Sequence, residues 1–228
     1  SMSLAYRVSA FNRRRKWRRF LDRFQPTSDM RILDVGYSAE EYSTTDNFLE
    51  KHYRWPEQIT ALGIDPPEAF RERYPAVNVV QYDGSDFPFE DNEFDVCWSN
   101  AVVEHVGDHD RQLKFLSEIN RVSKSAYVTT PNRFFPVEVH TRTPLLHYLP
   151  KSLFDSYLRL VGLNWAAGDY MHLLSRGHVK RLLAEAGVTN YRIDQNRLGP
   201  FVVDFVISWG AVAAEKETAL DDRTPLAV

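Results

Sequence analysis

The sequence predicts an open, mostly parallel α/β sheet with helices on both faces. Three observations lead to this fold class: short apolar runs alternate with helical stretches, several of the runs are apolar on both faces, and 43% of the 228 residues are hydrophobic. Strands that helices cover on both sides have such continuous apolar runs, and strand–helix alternation gives parallel neighbours joined by right-handed crossovers. The length suits one sizeable core, so we expect a single domain over residues 1–228.

The first element is a helix predicted over residues 10–25. Four apolar residues recur at helical spacing and form one stripe: Trp17, Phe20, Leu21 and Phe24. Pro26 ends the helix. The other faces are strongly basic between residues 13 and 19, and they either recruit an anionic substrate or membrane or form a solvated helix face. Because the net charge of the chain is −3, we favour the solvated face.

Five apolar runs follow and predict the parallel strands: residues 31–35, 60–65, 77–82, 94–99 and 126–130. Helical stretches near residues 45–54, 67–74 and 110–122 separate them. The only cysteine, Cys97, lies inside the fourth run and is expected to be buried.

The alternation breaks over residues 131–171, which are rich in proline, aromatic residues and histidine. This stretch is too long for an ordinary loop, so we predict a substrate cap with a short helix over 151–162. The sheet pattern then resumes with a helix capped by Ser175 and with two strands near 190–196 and 201–209, close enough to pair antiparallel. Residues 211–228 have little periodicity and are expected to form a tail.

Composition excludes several classes of protein. No apolar run reaches the roughly 18 residues of a membrane helix, and a slightly acidic chain is not expected to bind nucleic acid. A single cysteine fits a reducing compartment, so we expect a soluble, cytoplasmic protein. The sequence does not indicate an oligomeric state.

Candidate binding residues follow from the fold, because ligands of open α/β sheets bind beyond the carboxyl ends of the strands. The residues at the first four ends are Asp34, Gly36, Tyr37 and Ser38, then Asp65 and Pro66, then Asp83, Gly84 and Ser85, and then Asn100. Three strand ends thus supply a carboxylate. Carboxylates suit a ligand with hydroxyl and amino donors and repel a polyphosphate.

These residues stand in a recognisable order of motifs: ILDVG, GID, YDGSDFPFEDNEFDVCWSNAVVEHV and a late AEAGV. The order resembles the class I S-adenosylmethionine-dependent methyltransferases, and the third block resembles their small-molecule branch. This resemblance covers residues 30–130 and 172–209. The stretches TPNRFFPVEVH and PLLHYLP resemble methyltransferases of bacterial glycan and lipid pathways, which favours an O-methyltransferase. The motif order is the basis of the inferences that follow. It implies a Rossmann-like sheet of order 3-2-1-4-5-7-6 with an antiparallel last strand.

The resemblance also implies that the methyl donor is S-adenosylmethionine. Gly36 would let the backbone approach the methionine part, and Asp65 would accept hydrogen bonds from the ribose diol. Asp83 would accept from the adenine amino group beside the Gly84 amide. Asn100 would hold the methionine end, and His105 would lie near the cofactor.

One motif departs from the family pattern. The first loop reads Gly36-Tyr37-Ser38-Ala39-Glu40 and keeps only the first glycine of G-x-G-x-G. The same loss argues against a nicotinamide dehydrogenase, whose glycine-rich turn needs glycine where Ser38 and Glu41 stand.

The acceptor is expected to enter beside the segment after the fifth strand. Glu138 and His140 are two residues apart, so an extended backbone places both on one face. We predict His140 as the general base for an acceptor hydroxyl, and Glu138 either orients the His140 imidazole or holds another hydroxyl of the acceptor. No metal site is predicted, and a metal, if used, would be a hard cation such as Mg²⁺ beside Glu138.

The leading hypothesis is therefore an O-methyltransferase that acts on a small molecule or saccharide by in-line displacement. Methylation of nitrogen or carbon in a small metabolite is the alternative enzyme reading. The weakened glycine loop also allows a methyltransferase fold that has lost catalysis and serves as a partner subunit.

Overall fold

A seven-stranded open sheet of order β3-β2-β1-β4-β5-β7-β6 forms the centre of the protein. The computed structural model describes residues 4–137, 143, 145–168 and 171–210, with the backbone alone at 4–9, 147, 151 and 165. The strands are β1 (Ile32–Val35), β2 (Ile59–Gly63), β3 (Asn78–Gln81), β4 (Phe94–Asn100), β5 (Ser123–Pro131), β6 (Tyr191–Leu198) and β7 (Phe201–Gly210). The helices are α1 (Leu4–Phe24), α2 (Phe48–His52), α3 (Glu68–Arg73), α4 (His109–Val122), α5 (Lys151–Leu160) and α6 (Arg176–Glu185).

The strand directions confirm the predicted fold class. β1 to β5 pair in parallel, whereas β7 is antiparallel to both β5 and β6. Parallel strands bring all their carboxyl ends to one edge of the sheet, and this edge carries the candidate site.

Alternating side chains divide the core into two layers, one on each face of the sheet. Leu33 and Cys97 lie in the layer under α4 and α6, whereas Ile32 and Trp98 lie in the layer under α1 and α3. The period of two along each strand produces this division.

Helix α2 begins later than the sequence suggests. The predicted stretch 45–54 contracts to Phe48–His52, since Asn47 adopts a left-handed conformation with φ of 45° and ends the preceding loop. The other predicted helices differ from the observed ones mainly at their ends, and α1 begins at Leu4 rather than near residue 10.

The basic surface of α1 is not the solvated face that the sequence favoured. The Lys16 ammonium lies 2.8 Å from the Asp204 carboxylate of β7, and Arg23 lies 2.9 Å from Asp194 of β6. Only part of the surface is exposed, at Arg14 and Arg18. Acidic residues on the last two strands, distant in sequence, thus pair with Lys16 and Arg23.

The chain leaves the sheet after β5 and returns before α6. Asn132 and Leu174 form a parallel bridge at the base of this excursion, where the Arg133 N–H also donates to the Leu174 carbonyl at 2.9 Å. Helix α5 has a small core of its own, built from Phe154, Leu158 and Ala166. The boundaries of the cap stay a prediction, and the tail over 211–228 lies outside the described residues.

Candidate active site

Gly36, directly after β1, fits its position for two reasons. Its φ is +105°, a conformation that residues with a side chain rarely adopt, and a Cβ atom there would lie 2.3 Å from Cγ2 of Val102. Its N–H donates to the Leu62 carbonyl at 2.8 Å. The ends of β1 and β4 therefore approach each other closely at this point.

Asn47 closes the loop that lacks the expected glycines. The Ser38 N–H donates to the Asn47 side-chain oxygen, and the Asn47 side-chain amide donates to the Ser38 carbonyl, both at 2.9 Å. The same amide donates to Glu41 at 2.9 Å. Both backbone polar groups of Ser38 are consequently engaged within the loop, and Glu40 points to solvent.

Asp65 lies at the end of β2 and faces this first loop. Its half-buried carboxylate accepts from the Ala39 N–H at 3.1 Å, and Pro66 beside it is exposed. Tyr37 lies below: its ring is buried 4.6 Å from the Phe70 ring, and its hydroxyl donates to the Asp65 carbonyl. The side chain of Tyr37 thus supports Asp65 from the core.

The third strand end forms an exposed turn. Asp83 accepts hydrogen bonds from the Ser85 N–H at 3.0 Å and from the Ser85 hydroxyl, and these bonds lower the pKa of Asp83. Gly84 has φ of +86°, and the Ile64 side chain lies 3.8 Å from the place of a Gly84 Cβ. Ile64 is 64% exposed, so it offers an apolar surface between two acidic strand ends.

Asn100 ends β4 and faces helix α1. With its amide nitrogen donating to the Thr129 hydroxyl at 2.9 Å, its oxygen accepts from Arg13 at 2.6 Å (Nη1) and 3.1 Å (Nη2). This orientation of the amide satisfies both sides, whereas the reverse places its nitrogen against donors. The helix α1 therefore contributes a cation to the carboxyl edge of the sheet.

Asp34 is buried in β1, close enough to the buried Glu50 of α2 for the two acids to interact. Burial raises the pKa of Asp34, and the neighbouring Glu50 raises it further. Burial also raises the pKa of Glu50, and both of its carboxyl oxygens lack a hydrogen-bond donor among the described residues. A proton held between the two carboxyl groups accounts for a close pair of buried acids.

Glu104 and His105 follow β4 in a short 3-10 helix, Val103–His105. Glu104 is fully buried: one of its oxygens accepts from the Thr130 hydroxyl at 3.0 Å, and the other lies 4.0 Å from His105 Nε2. The Glu104 carbonyl accepts from the His172 N–H at 2.7 Å. This contact joins the site to the chain that returns from the cap.

The structure brings the predicted cofactor residues to one edge of the sheet. At one part of the edge, Ile64 lies beside Gly84 and next to Asp65, whose carboxylate accepts from the Ala39 N–H. At another part, Gly36 lies against Val102, two residues after Asn100. The predicted catalytic residues Glu138 and His140 lie outside the described residues. Their roles, and the contacts of each residue with a cofactor, stay predictions.

Four residues of this edge were missed by the sequence reasoning: Arg13, Glu50, Ile64 and Glu104. Glu104 stands inside the VEHV motif and Ile64 inside GID, so a reading of the motifs residue by residue could have singled out both. Arg13 and Glu50 lie in helices, and no local signal indicates that they reach this edge.

Part of this chain is similar in sequence to known proteins. Residues 33–126 match the protein family described as a methyltransferase domain. A segment of 78 residues is 36% identical to two probable S-adenosylmethionine-dependent methyltransferases from strains of Mycobacterium tuberculosis. Residues 33–126 therefore carry the sequence signature of a methyltransferase domain. The segment covers 33% of this chain and only 28% of the length of these relatives.

Solved structures show the same methyltransferase fold. A Thermotoga maritima protein described as a possible histamine N-methyltransferase is 15% identical, with a TM-score of 0.56 over 90% of each chain. A putative methyltransferase from Haloferax volcanii, solved in complex with the Trm112 methyltransferase activator, is 15% identical with a TM-score of 0.53; the match covers 91% of this chain and 97% of that one. These similarities support the Rossmann-like fold.

Among the residues placed by the structure, no group of three or more His, Cys, Asp and Glu side chains is arranged to hold a metal ion. None of the described helices combines the length and the apolar composition that a membrane crossing requires.

Proposed function

We propose that this chain transfers a methyl group from S-adenosylmethionine to a small acceptor. The single observation that carries the proposal is the set of acidic strand ends, Asp65 and Asp83, on the edge where Gly36 brings β1 against β4. The match of residues 33–126 to a methyltransferase domain supports the same donor.

The chemistry of the edge fits the donor. The half-buried Asp65 carboxylate is an acceptor suited to a ribose diol, and the exposed Asp83 carboxylate is suited to an adenine amino group. Ile64 offers an apolar surface between the two for the adenine ring. S-adenosylmethionine supplies a methyl group already activated on a sulfonium sulfur, so the residues of the chain have to bind it and align the acceptor.

Calorimetry with S-adenosylhomocysteine tests the donor. The wild type should bind it, and Asp65→Ala should lower the affinity by about ten- to a hundredfold, because charge-assisted hydrogen bonds to the ribose are lost. Asp29→Ala is the matched control, since this exposed acid lies before β1, at the opposite edge of the sheet. No binding to the wild type would end the enzyme proposal.

The acceptor that we favour is a hydroxyl group of a small molecule or sugar. His140 accepts the proton of this hydroxyl as its oxygen takes the methyl group, and Glu138 orients the imidazole. The resemblance of the TPNRFFPVEVH segment to glycan and lipid-pathway methyltransferases supports an oxygen acceptor. Since the fold is shared with a possible histamine N-methyltransferase, a panel of oxygen, nitrogen and carbon acceptors is needed to decide the atom.

The role of His140 is tested with the acceptor that the panel identifies. His140→Ala should lower turnover about a hundredfold or more and leave donor affinity nearly intact, the signature of lost transition-state stabilisation. Glu138→Gln should reduce turnover less. Near-normal turnover with an unchanged pH profile in His140→Ala would make this residue structural.

The closed first loop favours a second candidate, a partner subunit without catalysis. Because Asn47 occupies both backbone polar groups of Ser38, the loop offers fewer groups to a donor than a glycine-rich loop does. A structural neighbour from Haloferax volcanii, itself a putative methyltransferase, is solved in complex with a methyltransferase activator, so a protein of this fold can bind a partner subunit. The calorimetry above separates the two candidates, because a module that has lost its donor site should not bind S-adenosylhomocysteine.

A further inference from the structure

Two cations of helix α1, the buried Lys16 and the partly buried Arg13, differ in the partners that the structure gives them. Lys16 and Arg13 are one turn apart and both face the carboxyl edge of the sheet. The Lys16 ammonium has its own carboxylate, Asp204, at 2.8 Å, and the two side chains are only 8% and 7% exposed. The ion pair neutralises Lys16 within the protein.

Arg13 has no such carboxylate among the described residues. Its guanidinium donates to the neutral Asn100 amide and lies 6.0 Å from the centre of the Phe48 ring. Asp34, Asp46 and Asp204 are near enough to act on it electrostatically, but the ion pairs of the described residues within 4.0 Å include none with Arg13. Burial lowers the pKa of Arg13, as expected where few charges compensate for lost water.

The nearest acid in the adjacent strand does not neutralise this cation well. Asp34 shares its environment with Glu50, and burial with the neighbouring acid raises the pKa of Asp34. With one proton held between them, the two acids share a single negative charge, so Asp34 does not present a full carboxylate charge to the guanidinium. Arg13 therefore remains a partly buried cation, and no carboxylate among the described residues forms a bidentate pair with its planar guanidinium.

We propose that Arg13 binds the carboxylate of the amino-acid part of the methyl donor. The proposal rests on the proposed function, and it names the side chain that recognises this end of the donor. Its place supports the assignment: Arg13 contacts the last residue of β4, next to β1 and Gly36, on the edge where the donor would bind. A bidentate guanidinium–carboxylate pair there would supply the charge that the protein lacks.

A pair of ligands that differ only in this carboxylate tests the proposal by calorimetry. The probes are S-adenosylhomocysteine and 5′-deoxy-5′-(3-aminopropylthio)adenosine, its decarboxylated analogue. The wild type should prefer the first by about ten- to a hundredfold, the effect of one or two charge-assisted hydrogen bonds. In Arg13→Met this preference should fall to about threefold or less, with the affinity for the analogue nearly unchanged.

The controls separate recognition from folding. Arg14→Met removes the exposed neighbouring cation and should keep the wild-type preference. Arg13→Lys should give an intermediate preference, because the charge stays and the fork is lost. Unchanged affinity for the decarboxylated analogue shows that the variant is folded and that its nucleoside site is intact.

The outcomes also separate this inference from the proposed function. If the wild type binds neither probe, the methyltransferase proposal itself is wrong. If it binds both probes equally, or if Arg13→Met keeps the full preference, the donor site stands and the role of Arg13 is refuted.

Discussion

Replacing Gly36 by alanine tests the geometry on which the whole site depends. At φ of +105° an alanine is strained, and left-handed backbone costs about 1–2 kcal/mol for a residue with a Cβ. The added Cβ would also lie 2.3 Å from Val102 Cγ2, and overpacking of this kind costs about 1–3 kcal/mol. The free energy of unfolding should therefore fall by about 2–5 kcal/mol, or by about 4–20 °C in Tm for a chain of this size.

A second substitution separates the two contributions. Val102→Ala removes the methyl group that the new Cβ would strike, so the double variant Gly36→Ala/Val102→Ala should regain the overpacking part, about 1–3 kcal/mol. Gly187→Ala is the matched control for the backbone: its φ is +74°, but nothing lies within 4 Å of the added Cβ. It should cost only about 1–2 kcal/mol.

Urea unfolding followed by circular dichroism measures these free energies, and calorimetry with S-adenosylhomocysteine measures the site. Gly36→Ala should also weaken binding of this ligand, because the junction of β1 and β4 has to move. Equal losses of stability in Gly36→Ala and Gly187→Ala, with no recovery from Val102→Ala, would refute the close approach of the two strand ends.

Two further predictions concern buried charges. Lys16→Met leaves Asp204 buried without its cation and should cost about 3–5 kcal/mol in urea unfolding. The half-exposed pair Lys124–Asp95 is the control, and a loss no larger than that of Lys124→Met (below about 1 kcal/mol) would contradict the burial argument. Glu50→Gln tests the acid pair of Asp34 and Glu50. Burial raises the pKa of both carboxyl groups in the native state. The two acids therefore contribute their full stability below about pH 4, and this contribution is lost as the pH rises through their native pKa values. The stability of Glu50→Gln relative to the wild type should therefore increase as the pH rises above about 4, unlike that of the exposed control Glu57→Gln. Parallel pH profiles of Glu50→Gln and the wild type would exclude a shared proton.

Much of the fold could be predicted from the sequence, because its signals are local. Apolar runs such as 31–35 and 94–99 predict strands through their own composition, and alternation with helices predicts parallel neighbours. The motif order then implied the strand order 3-2-1-4-5-7-6, which the structure confirms. The acidic strand ends were also identified in advance, since parallel strands present their carboxyl ends at one edge by geometry alone.

The sequence did not determine which charges meet across the sheet. Runs of arginine and lysine in α1 look solvated when read alone, yet Lys16 reaches Asp204, a residue 188 positions later in the chain. Asp34 and Glu50 likewise form a buried acid pair that no spacing in the sequence indicates. In the first loop, which lacks the later glycines, the Asn47 side chain holds the Ser38 backbone by hydrogen bonds. Such partners depend on which side chains the tertiary packing brings together, whereas periodicity records only whether a residue faces the core or the solvent.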